Sequence, residues 1–148
     1  PDNHDLMDHL RYEKVANIDV PDLEVEGDKD DAELLIVGFG STYGHLRAAM
    51  KGMRRKGYKV AMAQLKFINP LPKNTANLLR KYKKVVVAEQ NLGQLAALLR
   101  IRINDFAPYQ YNQVKGQPFV VSELMSNFEK LILDKEETVG ETFESRVL

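Results

Sequence analysis

The chain has 148 residues, 44% hydrophobic and 28% charged, the length and composition of one ordinary globular domain. It has no Cys, which excludes disulfides, thiolate catalysis, zinc ribbons and any iron–sulfur cluster ligated by this chain. Its 21 basic and 21 acidic residues cancel only in total: residues 1–33 carry 12 acids and 3 bases, residues 34–133 carry 4 acids and 16 bases, and residues 134–148 carry 5 acids and 2 bases.

A basic centre between acidic arms points to an anionic contact: an acidic partner, a phosphorylated ligand, or the arms themselves. The aromatics do not interleave with the bases, so no nucleic-acid platform is expected. His4, His9 and His45 form no metal-spaced cluster, so no metal site is expected either. Apolar stretches such as 34–37 and 85–88 are far below the ~20 residues of a membrane span. The chain opens Pro-Asp-Asn-His, without an initiator Met or a signal-peptide pattern. It is therefore expected to be a piece of a longer, cytoplasmic polypeptide.

Residues 5–15 place Leu6, Leu10 and Val15 on one side, the pattern of a helix tail. Residues 17–31 are acidic and contain Pro21 and Gly27, which reads as a linker. Residues 1–33 are thus expected to be the end of a preceding domain plus an acidic linker. A first strand is predicted at Glu33–Val37. Gly38-Phe39-Gly40-Ser41-Thr42-Tyr43-Gly44 ends it, and a helix follows over Tyr43–Lys56. Leu46, Ala49, Met50 and Met53 form its inner stripe; Arg47, Lys51 and Arg54 form an outer basic stripe. Gly52 inside this helix suggests a close backbone contact, and Gly57 sits where a C-terminal cap belongs.

The second strand is Lys59–Leu65, followed by the stiff turn Asn69-Pro70-Leu71-Pro72. Asn74 or Thr75 is expected to cap a short helix to Tyr82. Lys84–Glu89 is the third strand. Asn91 is expected to cap a helix to Asn104, with Gln94 in a near capping box. Tyr109–Val114 is a short fourth strand, and Ser122 is expected to cap a last helix to Leu133 whose buried side is Leu124, Phe128, Leu131 and Ile132. Residues 135–148 read as an acidic C-terminal tail. This alternation predicts an α/β domain over residues 34–134: a mostly parallel open sheet in a three-layer α/β/α sandwich.

Two strand-end segments are candidates for chemistry. Gly38–Gly44 approximates a G-x-G-x-x-G turn, but Gly44 falls one place late. The second strand ends in Gln64-Leu65-Lys66, without the acid that would hold a ribose. It serves either as a sharp strand-to-helix turn or as an anion site at a helix N-terminus. Glu89-Gln90-Asn91-Leu92-Gly93-Gln94 follows the third strand, and parallel strands gather such loops on one edge. Gly40, Ser41, Thr42, Tyr43, Asn69, Glu89, Asn91 and Gln94 are therefore the candidate binding rim. Glu89 has no apparent partner His, Lys or second acid, and no serine or threonine has a convincing base, so no catalytic residue is assigned. Residues 109–113 (Tyr-Gln-Tyr-Asn-Gln) offer stacking faces and amides, or simply a half-packed edge strand.

Four segments together resemble a known family. They are residues 35–44 (Leu-Ile-Val-Gly-Phe-Gly-Ser-Thr-Tyr-Gly), 65–72 (Leu-Lys-Phe-Ile-Asn-Pro-Leu-Pro), 87–95 (Val-Ala-Glu-Gln-Asn-Leu-Gly-Gln-Leu) and 111–119 (Tyr-Asn-Gln-Val-Lys-Gly-Gln-Pro-Phe). Over residues 5–133 the chain resembles the C-terminal part of the alpha subunit of 2-oxoacid:ferredoxin oxidoreductases, the 2-oxoglutarate type above all. Phe39 and Leu71 stand where that family most often has Trp and Phe. The resemblance implies a transketolase C-terminal-domain-like fold. It also implies a complex that decarboxylates a 2-oxoacid oxidatively with coenzyme A, giving acyl-CoA, carbon dioxide and reduced ferredoxin. Thiamine diphosphate, Mg2+ and a 4Fe–4S cluster are implied for the complex, mainly in the beta subunit, with none bound by this chain alone. The implied partners are the beta subunit and the rest of the alpha subunit, with ferredoxin and coenzyme A at the level of the complex. This segment then has a structural, subunit-contact role. The alternative is a stand-alone nucleotide- or anion-binding module built on Gly38–Gly44.

Overall fold

Runs of consecutive apolar residues need cover on both faces of a sheet, and the fold provides it. The computed structural model describes residues 19–114 and 116–134. Five strands, β1 (Glu26–Gly27), β2 (Leu34–Phe39), β3 (Val60–Leu65), β4 (Val85–Glu89) and β5 (Tyr109–Asn112), form one sheet in the order β1-β3-β2-β4-β5. β2, β3, β4 and β5 are parallel, and β1 closes one edge antiparallel to β3. The helices are α1 (Tyr43–Arg55), α2 (Thr75–Leu79), α3 (Gln94–Arg102) and α4 (Val121–Leu133).

Side chains alternate across each strand, so the sheet splits the core in two. Leu34, Ile36, Val60, Met62, Val86 and Ala88 face α1 and α4, meeting Leu46, Met50, Met53, Leu124 and Phe128. Leu35, Val37, Ala61, Ala63, Val85 and Val87 face the other way, onto Leu79, Leu95, Leu99 and Ile103. The three-layer α/β/α sandwich expected from the alternation is the observed one. The handedness of β–α–β crossovers accounts for it: β2 to β3 moves one way along the sheet and β3 to β4 moves back, so their helices lie on opposite faces.

The strands match their predicted positions within two residues; β5 ends at Asn112. Just beyond it the Gln113 N–H still donates to the Glu89 carbonyl at 2.9 Å, while its side-chain amide donates to the carbonyls of Gln117 and Pro118. The expected linker is not one throughout. Leu23 and Val25 are buried in the core, and Glu26–Gly27 pairs with Met62 and Ala61. Two apolar residues among acids are a weak sequence signal, yet docking on an open sheet edge suffices to order them. The helix tail at 5–15 and the acidic tail at 135–148 lie outside the described residues.

Three expected caps are corrected. Asn74 turns away from its helix: its amide accepts from the Leu23 N–H at 2.8 Å and donates to the Leu23 carbonyl at 2.9 Å, holding the arm. Thr75 donates back to Pro72 at 2.6 Å. The helix stops at Leu79, short of Tyr82, whose hydroxyl bonds to the Lys29 carbonyl. Ser122 lies inside α4, which starts from extended Val120 with no side-chain cap. The contact anticipated at Gly52 is with a side chain: a Cβ there would stand 2.6 Å from Met125 Sδ.

The other end of α4 is closed by Lys84, whose ammonium donates to the carbonyls of Leu131 (2.7 Å), Ile132 (3.3 Å) and Asp134. A cation on exposed helix-end carbonyls satisfies them and opposes the dipole. Lys84→Met, which keeps the stem, is expected to lower unfolding free energy by about 1–2 kcal/mol. Urea denaturation checks this; a midpoint unchanged from wild type refutes the cap.

Candidate functional site

The chain passes from β2 one way to β3 and then back across to β4 on the other side of β2, so the direction of winding reverses between β2 and β4. In open α/β sheets the crevice outside the carboxyl ends at such a reversal is the usual ligand position. The two segments picked from the sequence follow those two strands: Gly40–Tyr43 after β2 and Glu89–Gln94 after β4. Asn69 follows β3 on the far side of β2 and is exposed.

The β2 side is a tight 3-10 turn, Gly40–Thr42, running straight into α1. Gly38 precedes it because nothing larger fits: a Cβ would lie 2.3 Å from Leu46 Cδ1 and 2.6 Å from Gln64 Oε1. Thr42 donates its hydroxyl to the Phe39 carbonyl at 3.1 Å, and Gln64 donates to the Gly40 carbonyl at 3.1 Å and to Thr42 Oγ1 at 3.3 Å. Gln64 thus holds the turn from the neighbouring strand. Ser41 is exposed at the tip. Phe39, Tyr43 and Phe67 are 40%, 39% and 46% exposed on the same strand-end edge. Beside them lies a cleft of about 660 Å³, walled by Leu23 and Glu26 of the arm, Gly40, Tyr43, Gln64 and Phe67.

Glu26 ties the arm to this edge. It accepts from the Tyr43 hydroxyl at 2.7 Å and pairs with Arg47 at 3.6 Å. The Glu26 acceptor, chiefly, holds the Tyr43 hydroxyl proton and raises its pKa above the usual 10.0. A raised folded pKa means that this contribution is whole below the unfolded value near 10 and is lost as pH rises through the folded one. Tyr43 is expected to ionise later than a solvent-exposed tyrosine in an NMR titration assigned with Tyr43→Phe. Glu26→Ala should remove most of that delay, and an unaltered titration would contradict the pair.

On the β4 side, Glu89 is buried, at 5% exposure. Its carboxylate accepts from the Leu95 N–H at 2.6 Å and the Ala96 N–H at 3.1 Å, filling the anion position at the start of α3. Asn91 accepts from Gly93 (2.8 Å) and Gln94 (3.1 Å). The expected Asn91 cap is therefore an Asx turn, and Gln94 is the first helical residue and not the far corner of a capping box. Gly93 intervenes in left-handed backbone, φ +95°, against the buried Gln110 amide. Gln110 in turn accepts from Asn112 at 3.2 Å. Tyr111 stacks edge-on with Phe119 at 5.7 Å, so the 109–113 segment is packed and not a free stacking face.

Sequence reasoning missed Glu26; it noted Gln64 only where a ribose-holding acid was absent, and Gln110 only within the 109–113 segment. Only their places at strand ends, beside segments already of interest, could have pointed to them. Chemically the rim offers hydroxyls, amides and aromatic faces. Of its acids, Glu26 is engaged by Tyr43 and Arg47, and Glu89 has both oxygens on backbone donors. No Cys is present to hold a cluster, and among the described residues no group of three or more His, Asp or Glu is placed for a metal. These residues do not fit a metal, a cluster or a thiamine diphosphate–metal pair.

The Pyruvate:ferredoxin oxidoreductase core domain II family matches residues 32–124, which take in both strand-end segments. The chain belongs to this family. As a core domain II, it is 48% identical over 125 residues to 2-oxoglutarate oxidoreductase subunit KorA of Mycobacterium tuberculosis, covering 84% of this chain and 19% of that protein. Among solved structures it resembles 2-oxoglutarate:ferredoxin oxidoreductase from Magnetococcus marinus with 2-oxoglutarate, coenzyme A and succinyl-CoA bound, with a TM-score of 0.75, 31% identity and coverage of 89% of this chain and 24% of that one. A split-gene transketolase, at 17% identity and a TM-score of 0.56 over 81% of this chain and 45% of that one, shares the fold. This core domain II spans about a fifth to a quarter of the length of these oxidoreductase relatives.

Proposed function

We propose that the chain is the C-terminal structural and subunit-contact domain of the alpha subunit of a cytoplasmic 2-oxoglutarate:ferredoxin oxidoreductase. The assembled enzyme decarboxylates the 2-oxoacid, joins the acyl group to coenzyme A and passes two electrons to ferredoxin. The observation that supports this most is the 48% identity to the M. tuberculosis subunit across 84% of the chain. The site agrees with it. Glu89 is spent on α3, no acid–base pair is assembled, and exposed Phe39, Tyr43 and Phe67 offer apolar contact area at the strand ends. Thiamine diphosphate, Mg2+ and the 4Fe–4S cluster belong mainly to the beta subunit, and this chain binds none of them alone. The rim from Gly40 to Tyr43, with Asn69, Glu89, Asn91 and Gln94, faces the neighbouring parts of the complex. Among the described residues no helix is long and apolar enough to cross a membrane.

Mixed with the beta subunit and the rest of the alpha subunit at micromolar concentration, the chain should co-elute with them in size-exclusion chromatography. It should reduce no ferredoxin by itself. A chain that stays monomeric in that mixture refutes the proposal. The second reading is a nucleotide site at Gly38–Gly44, favoured by the lack of a side-chain cap on α1. Calorimetric heat on titrating NAD or NADP into the chain would revive it.

A further inference from the structure

α1 and α4 run side by side, closest where Met125 covers Gly52, and Lys56 reaches Glu129 at 3.6 Å. On their outer side lies a groove of about 480 Å³. Its floor is apolar, made by Ala48, Gly52, Val121 and Met125, and its wall is cationic, made by Lys51, Arg55 and Lys56. Among the described residues no carboxylate lines it.

The acidic arm has already taken up three of the neighbouring positive charges. Arg47 pairs with Glu26, Arg54 with Asp28 at 3.0 Å, and Lys59 with Asp31 at 2.5 Å. Among the described residues, Lys51 and Arg55 have no such partner. They stand one helical turn apart on α1, where like charges repel. Residues 34–133 have only four acids: Glu89 is buried on α3, Glu129 is paired, and Asp105 and Glu123 do not line the groove. A carboxylate that pairs with Lys51 and Arg55 would therefore come from outside residues 34–133.

We infer that the α1–α4 groove docks an acidic segment of a partner subunit, with an apolar side chain seated on the Ala48–Met125 floor and flanking carboxylates on Lys51 and Arg55. The inference rests on the subunit-contact reading above and names the chemistry of one contact. The groove contains no aromatic ring for base stacking, and its apolar floor suits a Leu-type side chain better than a phosphate backbone.

The probe is a fluorescein-labelled peptide of two leucines set among six glutamates. The control has serine in place of glutamate. Anisotropy should report binding of the acidic peptide alone, weakening as NaCl rises from about 50 to about 300 mM. The double variant Lys51→Glu/Arg55→Glu should weaken it at least about tenfold. Both positions are exposed, and circular dichroism with a thermal melt verifies that the variant folds; Lys51→Gln/Arg55→Gln serves as the milder version. Absent binding, equal binding by wild type and variant, or tighter binding of a single-stranded oligonucleotide overturns the inference. Assembly with the beta subunit is read on the same proteins. If wild type and variant assemble alike and bind the peptide alike, only the groove inference fails. If wild type does not assemble, the subunit-contact reading fails.

Discussion

Glu89→Ala is expected to destabilise the domain by about 3 kcal/mol. The carboxylate is the acceptor for two buried helix-start donors, Leu95 and Ala96. Removing it leaves both N–H groups in a dry site, at roughly 1–3 kcal/mol each, and withdraws negative charge from the positive end of α3. The urea midpoint should fall with the slope unchanged. Glu89→Gln retains an acceptor oxygen and should cost roughly half as much. A Glu89→Ala protein within about 0.5 kcal/mol of wild type would show that the carboxylate does not hold the helix. In the assembled oxidoreductase, a catalytic Glu89 would instead be exposed by Glu89→Gln abolishing activity while stability barely changed.

The second large effect is at Gly93. Its φ of +95° costs an L-residue roughly 1–2 kcal/mol, and a Cβ there would approach Gln110 Oε1 to 2.5 Å. Gln110 is fully buried, so displacing its amide disturbs the packing around it and adds roughly 1–3 kcal/mol. Gly93→Ala should therefore lose about 2–5 kcal/mol in all. Gly57 is the control. It has φ +96° but no atom within 4 Å of its would-be Cβ, so Gly57→Ala should lose only the backbone share, roughly 1–2 kcal/mol. Equal losses at the two positions would mean that the Gln110 contact carries no weight. Thermal or urea unfolding of the pair decides it.

A smaller, pH-dependent effect joins the arm to the body. The Lys59 ammonium, through its hydrogen bond, holds Asp31 below the usual carboxylate range, and Asp31 in turn raises Lys59. A depressed acid contributes above its unfolded pKa near 3.8 and loses that contribution as pH falls through the folded value; a raised lysine contributes below about 10.5 and loses it above. The pair therefore acts across the range between. Both groups are exposed, so salt should erase the difference between wild type and Asp31→Asn. A difference that persists at high salt contradicts a solvent-exposed ion pair.

Strand and helix order were legible because periodicity is local. The run Leu34–Val37, the α1 stripe of Leu46, Ala49, Met50 and Met53, and Gly57 as a left-handed cap are written in residues a few places apart. Asn74 was misread for the same reason. A helix-start Asn normally caps its own helix, but the open backbone of Leu23, 51 positions away, offers a donor and an acceptor together. Ser122 was misread because α4 starts two residues earlier, with Val120 at the cap position. At the candidate site, Gly38–Gly44 and Glu89–Gln94 stood out by composition, whereas Gln64 and Gln110 became visible only when the strands lay side by side.

By itself the sequence determined the alternation of elements, hence a parallel sheet with two helical layers, and it carried enough of the family's strand-end segments to point to the oxidoreductase alpha subunit. Tertiary structure alone decided how the charges and polar groups were used. It laid the acids of the arm on Arg47, Arg54 and Lys59, left Lys51 and Arg55 without partners among the described residues, and turned Glu89 from a candidate rim residue into the anchor of α3. Hydrogen bonds and ion pairs act over a few ångströms, and the distances between residues 23 and 74, 28 and 54, or 64 and 40 are set by the packing of the whole sheet.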